Sequence, residues 1–95
     1  MERETFENAF DALMETPEAA ANMTVRSDLM RAIRKTVQGW DLSQTAAAAR
    51  LGVTQPRLND LLRNRINKFS LDALVTLASR AGLTVRLDVA APAAA

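Results

Sequence analysis

Three polar side chains, Gln55, Arg57 and Asn59, occupy the first turns of a short predicted helix over residues 55–63. Each of the two amides combines hydrogen-bond donors with an acceptor, and the guanidinium presents its donors in a flat fork. Groups of this kind form paired hydrogen bonds with flat polar partners. The inward side of the helix is apolar and consists of Leu58, Leu61 and Leu62. The pattern therefore predicts recognition by hydrogen bonding from the exposed side of this helix.

The composition gives little support for catalysis or metal binding. The chain has no histidine, which is the commonest general base and metal ligand, and no cysteine, so disulfides and thiolate metal sites are excluded. No pair of acidic and basic residues has the spacing that acid–base catalysis requires. We therefore expect a protein that is not an enzyme, and in particular not a ribonuclease, and that holds neither a metal nor a cofactor.

The residues just before this helix form a pattern of their own. Ser43 is the predicted N-cap of a helix over residues 44–51, and Thr54 is the predicted N-cap of the helix that follows. Gly52 supplies the unusual backbone angle of a tight turn, and alanine lets the two helices cross closely. Six residues carry the pattern: Gln44, Ala48, Gly52, Val53, Thr54 and Leu58. Two short helices joined by such a turn predict a helix-turn-helix.

In a helix-turn-helix the second helix enters the major groove of double-stranded DNA, and its N-terminal residues contact base edges. Gln55 is predicted to pair with adenine and Arg57 with guanine, and Asn59 is a third candidate. Asp60 faces the groove as well. It could accept from a cytosine amino group, but bracing of Arg57 and Arg63 is the favoured interpretation.

Polar and basic residues at the two ends of this helix are predicted to contact phosphates, which fix register and affinity rather than sequence preference. They are Thr54, Arg63, Asn64, Arg65 and Lys68. The basic residues of the upstream helix are assigned in the main to a solvated face. They are Arg26, Arg31, Arg34 and Lys35.

Two amphipathic helices flank the motif. The upstream one covers about residues 25–37, and its inward stripe at i, i+4 spacing is Val25, Leu29, Ile33 and Val37. Gly39 is expected to end it, with Trp40 packing nearby. The downstream one follows Ser70 as N-cap and ends before Gly82. Its predicted inward residues are Leu71, Leu74, Val75 and Ala78.

Charge is distributed unevenly along the chain. Residues 1–22 contain six acidic residues and one arginine, whereas residues 23–80 contain ten basic residues and four aspartates. The basic part suits a polyanion. Because Thr16 begins a new helix, we divide the chain into an acidic amphipathic segment (residues 1–15), a helix-turn-helix domain (16–82), a strand (83–89) and a disordered tail (90–95). An acidic N-terminus and the lack of a long apolar run argue against a signal peptide and a membrane span, so we expect a cytoplasmic protein.

The apolar period changes from 3.6 to 2 in residues 83–89, where Leu83, Val85, Leu87 and Val89 alternate with polar residues. A single strand leaves backbone donors and acceptors unpaired, and the simplest partner is the same strand of a second copy. We therefore predict a homodimer. A register centred near Leu87 places Arg86 opposite the partner's Asp88. A dimer would also bring two recognition helices to two half-sites.

The acidic segment at the N-terminus has an apolar stripe consisting of Phe6, Phe10, Leu13 and Met14. In one interpretation these side chains pack on the domain's own core or on its dimer mate. In the other, the segment is an amphipathic helix that docks on a basic protein partner and becomes ordered on binding. The residues alone leave both interpretations open.

The stretch LSQTAAAARLGVTQPRLNDLLRNRINKFSLDALVTLASRAGL resembles the Xre-type helix-turn-helix domain shared with lambdoid phage repressors. The preceding FDALMETPEAAANMTVRSDLM and the strand resemble HigA-type antitoxins, so the resemblance covers about residues 10–89. It implies an all-α, lambda-repressor-like fold of five or so helices, with one C-terminal β-strand that pairs across a homodimer. It also implies a phosphate contact at Gln44 and a base contact at Gln55. Pro56 departs from the phage repressors, which often have a polar residue there.

The same resemblance implies a function. It indicates a transcriptional repressor that binds its double-stranded DNA operator, autoregulates a HigBA-like toxin–antitoxin operon and neutralises a small basic ribonuclease toxin. The acidic segment at residues 1–15 is then the candidate toxin-binding element. A stand-alone or phage-derived Xre-type regulator without a toxin partner is the alternative.

Overall fold

A computed structural model describes residues 16–92, so the apolar stripe predicted at Phe6, Phe10, Leu13 and Met14 lies outside the described residues. The described part contains four α-helices: α1 Pro17–Gly39, α2 Gln44–Leu51, α3 Gln55–Leu62 and α4 Leu71–Arg80. A single 3₁₀ turn, Ile66–Lys68, lies between α3 and α4. None of these helices combines the length and the apolar character needed to cross a membrane.

Each helix begins at a residue with a hydroxyl group, as predicted. The N-caps Thr16, Ser43, Thr54 and Ser70 each accept a hydrogen bond from the backbone N–H three residues further on, at 3.0–3.2 Å. These bonds satisfy donors that have no partner within the first turn of a helix. The first helix is longer than predicted. The start predicted at Thr16 and the helix predicted over residues 25–37 belong to the same continuous helix, α1.

Two of the three glycines end their helices as predicted. Gly52 (φ 72°) follows α2 and Gly82 (φ 88°) follows α4, both in the left-handed region that glycine adopts without steric cost. α1 also ends at Gly39, as predicted, but Gly39 is its last helical residue and does not adopt the left-handed conformation. The left-handed residue there is Asp41 (φ 56°), and aspartate is one of the few other residues that adopt this region.

The core lies between α1, the helix-turn-helix pair and α4. Its fully buried large side chains are Met30, Ile33, Leu51, Leu58, Leu61, Phe69 and Leu74. The predicted stripe of α1 is partly wrong, since Val25 is 42% exposed and Met30 is buried in its place. The reason is geometric: strict i, i+4 spacing advances 400° per step, so Val25 lies about 120° around the helix from Val37.

Similar adjustments apply to the other inward faces. In α3, Leu58 and Leu61 are buried and Leu62 is half-buried. In α4, Val75 was predicted to face inward but is exposed, and Leu77, which was not predicted, is buried.

The segment after α4 has no regular secondary structure, and no strand occurs between residues 16 and 92. Leu83 packs against the core, and its N–H donates to the Ala78 carbonyl at 2.9 Å. Beyond it the chain leaves the core, so that Leu87 is 84% and Val89 78% exposed. A strand is defined by its hydrogen-bonded neighbour, which the prediction placed on a second copy. Pairing of residues 83–89 therefore stays a prediction.

Candidate nucleic-acid interface

A left-handed glycine and two small buried residues hold α2 and α3 together. After α2, the N–H groups of Gly52 and Val53 donate to the carbonyls of Ala49 and Ala48, at 3.1 and 3.0 Å. Ala47 and Ala48 are buried, and their small side chains let the neighbouring helices approach α2. The predicted helix-turn-helix is therefore present, with its tight turn at residues 52–54.

The turn is also closed from outside the motif by an arginine of α4. Nη1 of Arg80 donates to the carbonyls of Leu51 and Gly52, at 3.3 Å each. These carbonyls lie at the C-terminal end of α2, where a positive charge is favourable to the helix dipole. Nothing in the sequence pattern assigned Arg80 to the motif, because its partners are backbone atoms from a distant part of the chain.

The N-terminal ends of α2 and α3 lie next to each other and are exposed. Gln55 is exposed, and its Nε2 donates to Oγ1 of Thr45 at 2.8 Å. Gln44, at the first position of α2, is exposed as well. Asn59 is half-buried, and its side chain makes no hydrogen bond within residues 16–92. Thr45 is a residue of this surface that the sequence analysis missed, although its position beside Gln44 in the first turn of α2 was a signal.

Arg57 is oriented differently from the other two predicted base contacts. Its guanidinium lies over the ring of Phe69, 4.0 Å from the ring centroid, and its Nη1 donates to the Lys68 carbonyl at 2.8 Å. The side chain is half-buried. The structure thus separates Arg57 from Gln55, whose side chain bonds to α2.

The segment after α3, residues 63–69, is the basic loop. Four of the predicted phosphate contacts are exposed in it, namely Arg63, Asn64, Arg65 and Lys68. Asn64 adopts the left-handed conformation (φ 60°) that ends α3, and the Arg65 N–H donates to the Asp60 carbonyl at 3.0 Å. Thr54, a fifth predicted contact, is exposed at the other end of the helix and serves as its N-cap.

The favoured interpretation of Asp60 is wrong. Its carboxylate pairs with Arg65 at 3.4 Å and not with Arg57 or Arg63. The pair is only partly exposed, 19% for the Asp60 side chain and 42% for that of Arg65. Since the chain turns back at Asn64, Arg65 comes within reach of Asp60, whereas Arg57 is already bonded elsewhere.

The solvated-face interpretation of the α1 arginines is correct for one of them and wrong for another. Arg31 forms an exposed ion pair with Asp28 at 2.6 Å. In contrast, Nη1 of Arg26 donates to the carbonyls of Ile66 and Phe69, both at 3.2 Å. Its Nε donates to Oδ1 of Asn22 at 2.6 Å, which orients the guanidinium. Arg26 thereby connects α1 to the basic loop.

Trp40 is half-buried and packs against the core, which agrees with its predicted packing role. Its outer face carries the guanidinium of Arg50, 4.1 Å from the ring centroid. This cation–π contact joins the end of α1 to α2 and leaves the charge of Arg50 at the surface.

Residues 12–90 match a family model described as a helix-turn-helix domain. No curated protein matches this chain. The matched range includes all four described helices, the basic loop and most of the segment after α4.

Proposed function

We propose that this chain, which belongs to the helix-turn-helix domain family, is a sequence-specific transcriptional repressor acting on double-stranded DNA. Domains of this family are typically non-enzymatic and suggest DNA binding. One observation carries the proposal. The exposed N-terminal end of α3 lies beside the N-terminal end of α2, and the Gln55–Thr45 hydrogen bond joins them. A second helix exposed in this way suits entry into the major groove.

Individual contacts follow from this arrangement. Gln55 and Asn59 contact base edges, since an amide can pair with adenine. Backbone phosphates are contacted on both sides of the groove by Gln44, Thr54, Arg63, Asn64, Arg65 and Lys68. Arg57 was predicted as the guanine contact, but its hydrogen bond to the Lys68 carbonyl and its position over the Phe69 ring favour another role.

The repressor proposal is tested by selecting, from a library of random duplexes, those that bind to the full chain. We expect one enriched sequence, bound with an affinity that falls steeply as salt concentration rises, because phosphate contacts release counterions. A matched duplex of shuffled sequence should bind more weakly by about 10³-fold or more. If no sequence is enriched and no salt-dependent binding is measured, the proposal fails.

The repressor is proposed to act as a homodimer through residues 83–89. Within the described range, no backbone N–H or carbonyl of residues 84–92 has a hydrogen-bond partner. The apolar side chains of this segment continue outward from Leu83 to Leu87 and Val89. A wide groove of about 710 Å³ lies between the segment, α1 and α4, with Val25 and Val75 on its walls. Antiparallel pairing with a second copy would satisfy the backbone groups and cover this apolar surface.

The antitoxin role is proposed on two grounds, namely the resemblance to HigA-type antitoxins and the acidic, apolar composition of residues 1–15. A basic ribonuclease toxin is the partner that such a segment suits. Co-expression with any basic protein that is encoded next to this gene tests it: we expect a complex with the full chain and none with a chain that starts at Thr16. A chain that binds DNA and no neighbouring protein would instead be a stand-alone or phage-derived Xre-type regulator.

A further inference from the structure

We propose that Arg57 is a positioning residue, which fixes the basic loop and its phosphate-contacting side chains and does not contact a base itself. The inference rests on the proposed DNA-binding function. It concerns a residue at the third position of α3, where the sequence pattern predicts a base contact.

Helix geometry separates Arg57 from the two other candidates. Gln55 and Asn59 are four residues apart and share one face of α3. Arg57 is two residues from each of them, which places its side chain about 160° around the helix axis from both. A groove that receives Gln55 and Asn59 therefore faces the opposite side of the helix from Arg57.

The contacts of Arg57 are those of a residue that supports a loop. One nitrogen donates to the Lys68 carbonyl at 2.8 Å, and the flat face of the guanidinium lies 4.0 Å above the centroid of the Phe69 ring. Phe69 is only 1% exposed, so the ring is a fixed surface of the core. Both contacts would have to be given up before Arg57 could reach a base.

A second arginine supports the same loop from α1. Arg26 donates to the carbonyls of Ile66 and Phe69, so two guanidinia bind three of the last four carbonyls of the basic loop. Backbone carbonyls carry no formal charge, so Arg26 and Arg57 hold the loop without neutralising Arg63 and Lys68. Fixing the backbone places Arg63, Arg65 and Lys68 in advance, which lowers the entropy lost when they bind phosphates.

Hydrogen exchange tests the positioning effect without DNA. In Arg57→Ala, we expect the amides of residues 65–69 to exchange roughly tenfold faster while those of α1 and α4 change little. Arg63→Ala is the matched control, because Arg63 is exposed at the end of the same helix and its side chain has no partner in the described range. Unchanged exchange in residues 65–69 of Arg57→Ala would overturn the proposal.

DNA titrations distinguish positioning from base contact. A positioning role predicts that Arg57→Ala weakens binding to the selected duplex and to each single-base-pair variant by the same factor, within about twofold. It also predicts that the slope of log affinity against log salt concentration becomes shallower, by about the contribution of one phosphate contact or more. Loss of preference at one base pair, with the salt dependence unchanged, would show a base contact and overturn the proposal.

Three further variants extend the test. Phe69→Leu removes the ring but leaves the hydrogen bond of Arg57 to the Lys68 carbonyl in place, so positioning predicts a smaller, uniform weakening of binding to all duplexes and base contact predicts none. In a double-mutant cycle, Lys68→Ala should cost less affinity when Arg57 is already alanine, whereas Gln44→Ala should cost the same in both backgrounds. If the wild-type chain binds no duplex, the proposed repressor function fails, and the exchange result alone decides whether Arg57 fixes the loop.

Discussion

The guanidinium of Arg80 lies directly against Gly52, the left-handed glycine of the helix-turn-helix. Nη1 is 3.3 Å from the Gly52 carbonyl oxygen, and the same atom is 3.2 Å from the position that a Cβ at residue 52 would occupy. The turn is therefore shaped by two constraints: a positive φ, and a side chain from α4 packed against it.

Gly52→Ala is expected to lower the free energy of unfolding by about 1–2 kcal/mol, since a left-handed conformation is costly for a residue with a Cβ. Gly82→Ala has a similar φ and no atom within 4 Å of its Cβ, so it isolates the conformational cost. Urea denaturation followed by circular dichroism measures both. Gly52→Ala should be at least as destabilising as Gly82→Ala, because Arg80 must also shift.

Gly39→Ala should have the opposite sign. Gly39 is helical and has open space around its Cβ position, so alanine is expected to raise the free energy of unfolding by about 0.5–1 kcal/mol. A destabilised Gly39→Ala, measured in the same urea titration, would contradict the assignment of Gly39 to α1.

Arg80→Met keeps the apolar stem of the side chain and removes its two hydrogen bonds to the turn. We expect a loss of about 1 kcal/mol in the free energy of unfolding. Arg31→Met is the matched control, because Arg31 pairs with Asp28 at a side-chain exposure of 68% and 62%. Exposed pairs of this kind contribute little, so the control should change stability by less than about 0.5 kcal/mol. Equal effects in thermal unfolding would contradict a special role for Arg80.

Gln55→Ala is expected to remove the preference for one base pair of the selected duplex, at a cost of about 1–3 kcal/mol in binding free energy. Asn59→Ala is expected to remove the preference for a different base pair. Lys68→Ala should weaken binding to all duplexes alike. It should also reduce the slope of log affinity against log salt concentration by about the contribution of one phosphate contact. Fluorescence anisotropy with single-base-pair variants measures each case.

Thr45→Val is the companion to Gln55→Ala. It keeps the shape of the side chain but removes the oxygen that accepts from Gln55 Nε2, so we expect a smaller loss at the same base pair. A loss at a different base pair would indicate that Thr45 does not orient Gln55.

Leu87→Asp should convert the proposed dimer into a monomer, because a carboxylate would be buried in the apolar surface between the copies. Thr84→Asp is the control, since residue 84 alternates with the apolar residues and lies on the polar side of the predicted strand. Sedimentation equilibrium of both variants and the wild type measures the change. A Leu87→Asp chain as dimeric as the wild type would contradict pairing through residues 83–89.

The sequence was sufficient for those features that depend on neighbours a few residues apart. The N-caps are of this kind, because the Ser43 and Thr54 side chains bond to N–H groups only three residues away. The tight turn at Gly52 is also local, and so the helix-turn-helix could be predicted. The partners of Arg26 are 40 and 43 residues away and are backbone carbonyls, which leave no mark in the pattern of side chains.

The candidate site was predictable to a similar extent. Counting residues in α3 identified the outward positions, but the exact face could not be assigned until Thr45 and Phe69 were located on either side of the helix. The pairing of Asp60 with Arg65 depends on the left-handed Asn64, a conformation that few residues adopt and that spacing alone does not indicate. The outward face of α3 and the partner of Asp60 therefore depend on tertiary structure and not on local helix propensity.

The carbonyl-bound guanidinia of Arg26, Arg57 and Arg80 have a kinetic consequence. A carboxylate partner would cancel their charge, as Asp28 does for Arg31, whereas a carbonyl leaves a full unit charge on each cross-link. The arginines that brace the domain thus add to the electric field that would attract the proposed DNA partner from a distance. Diffusional capture should be correspondingly fast in dilute buffer and slow down as added ions shorten the range of that field.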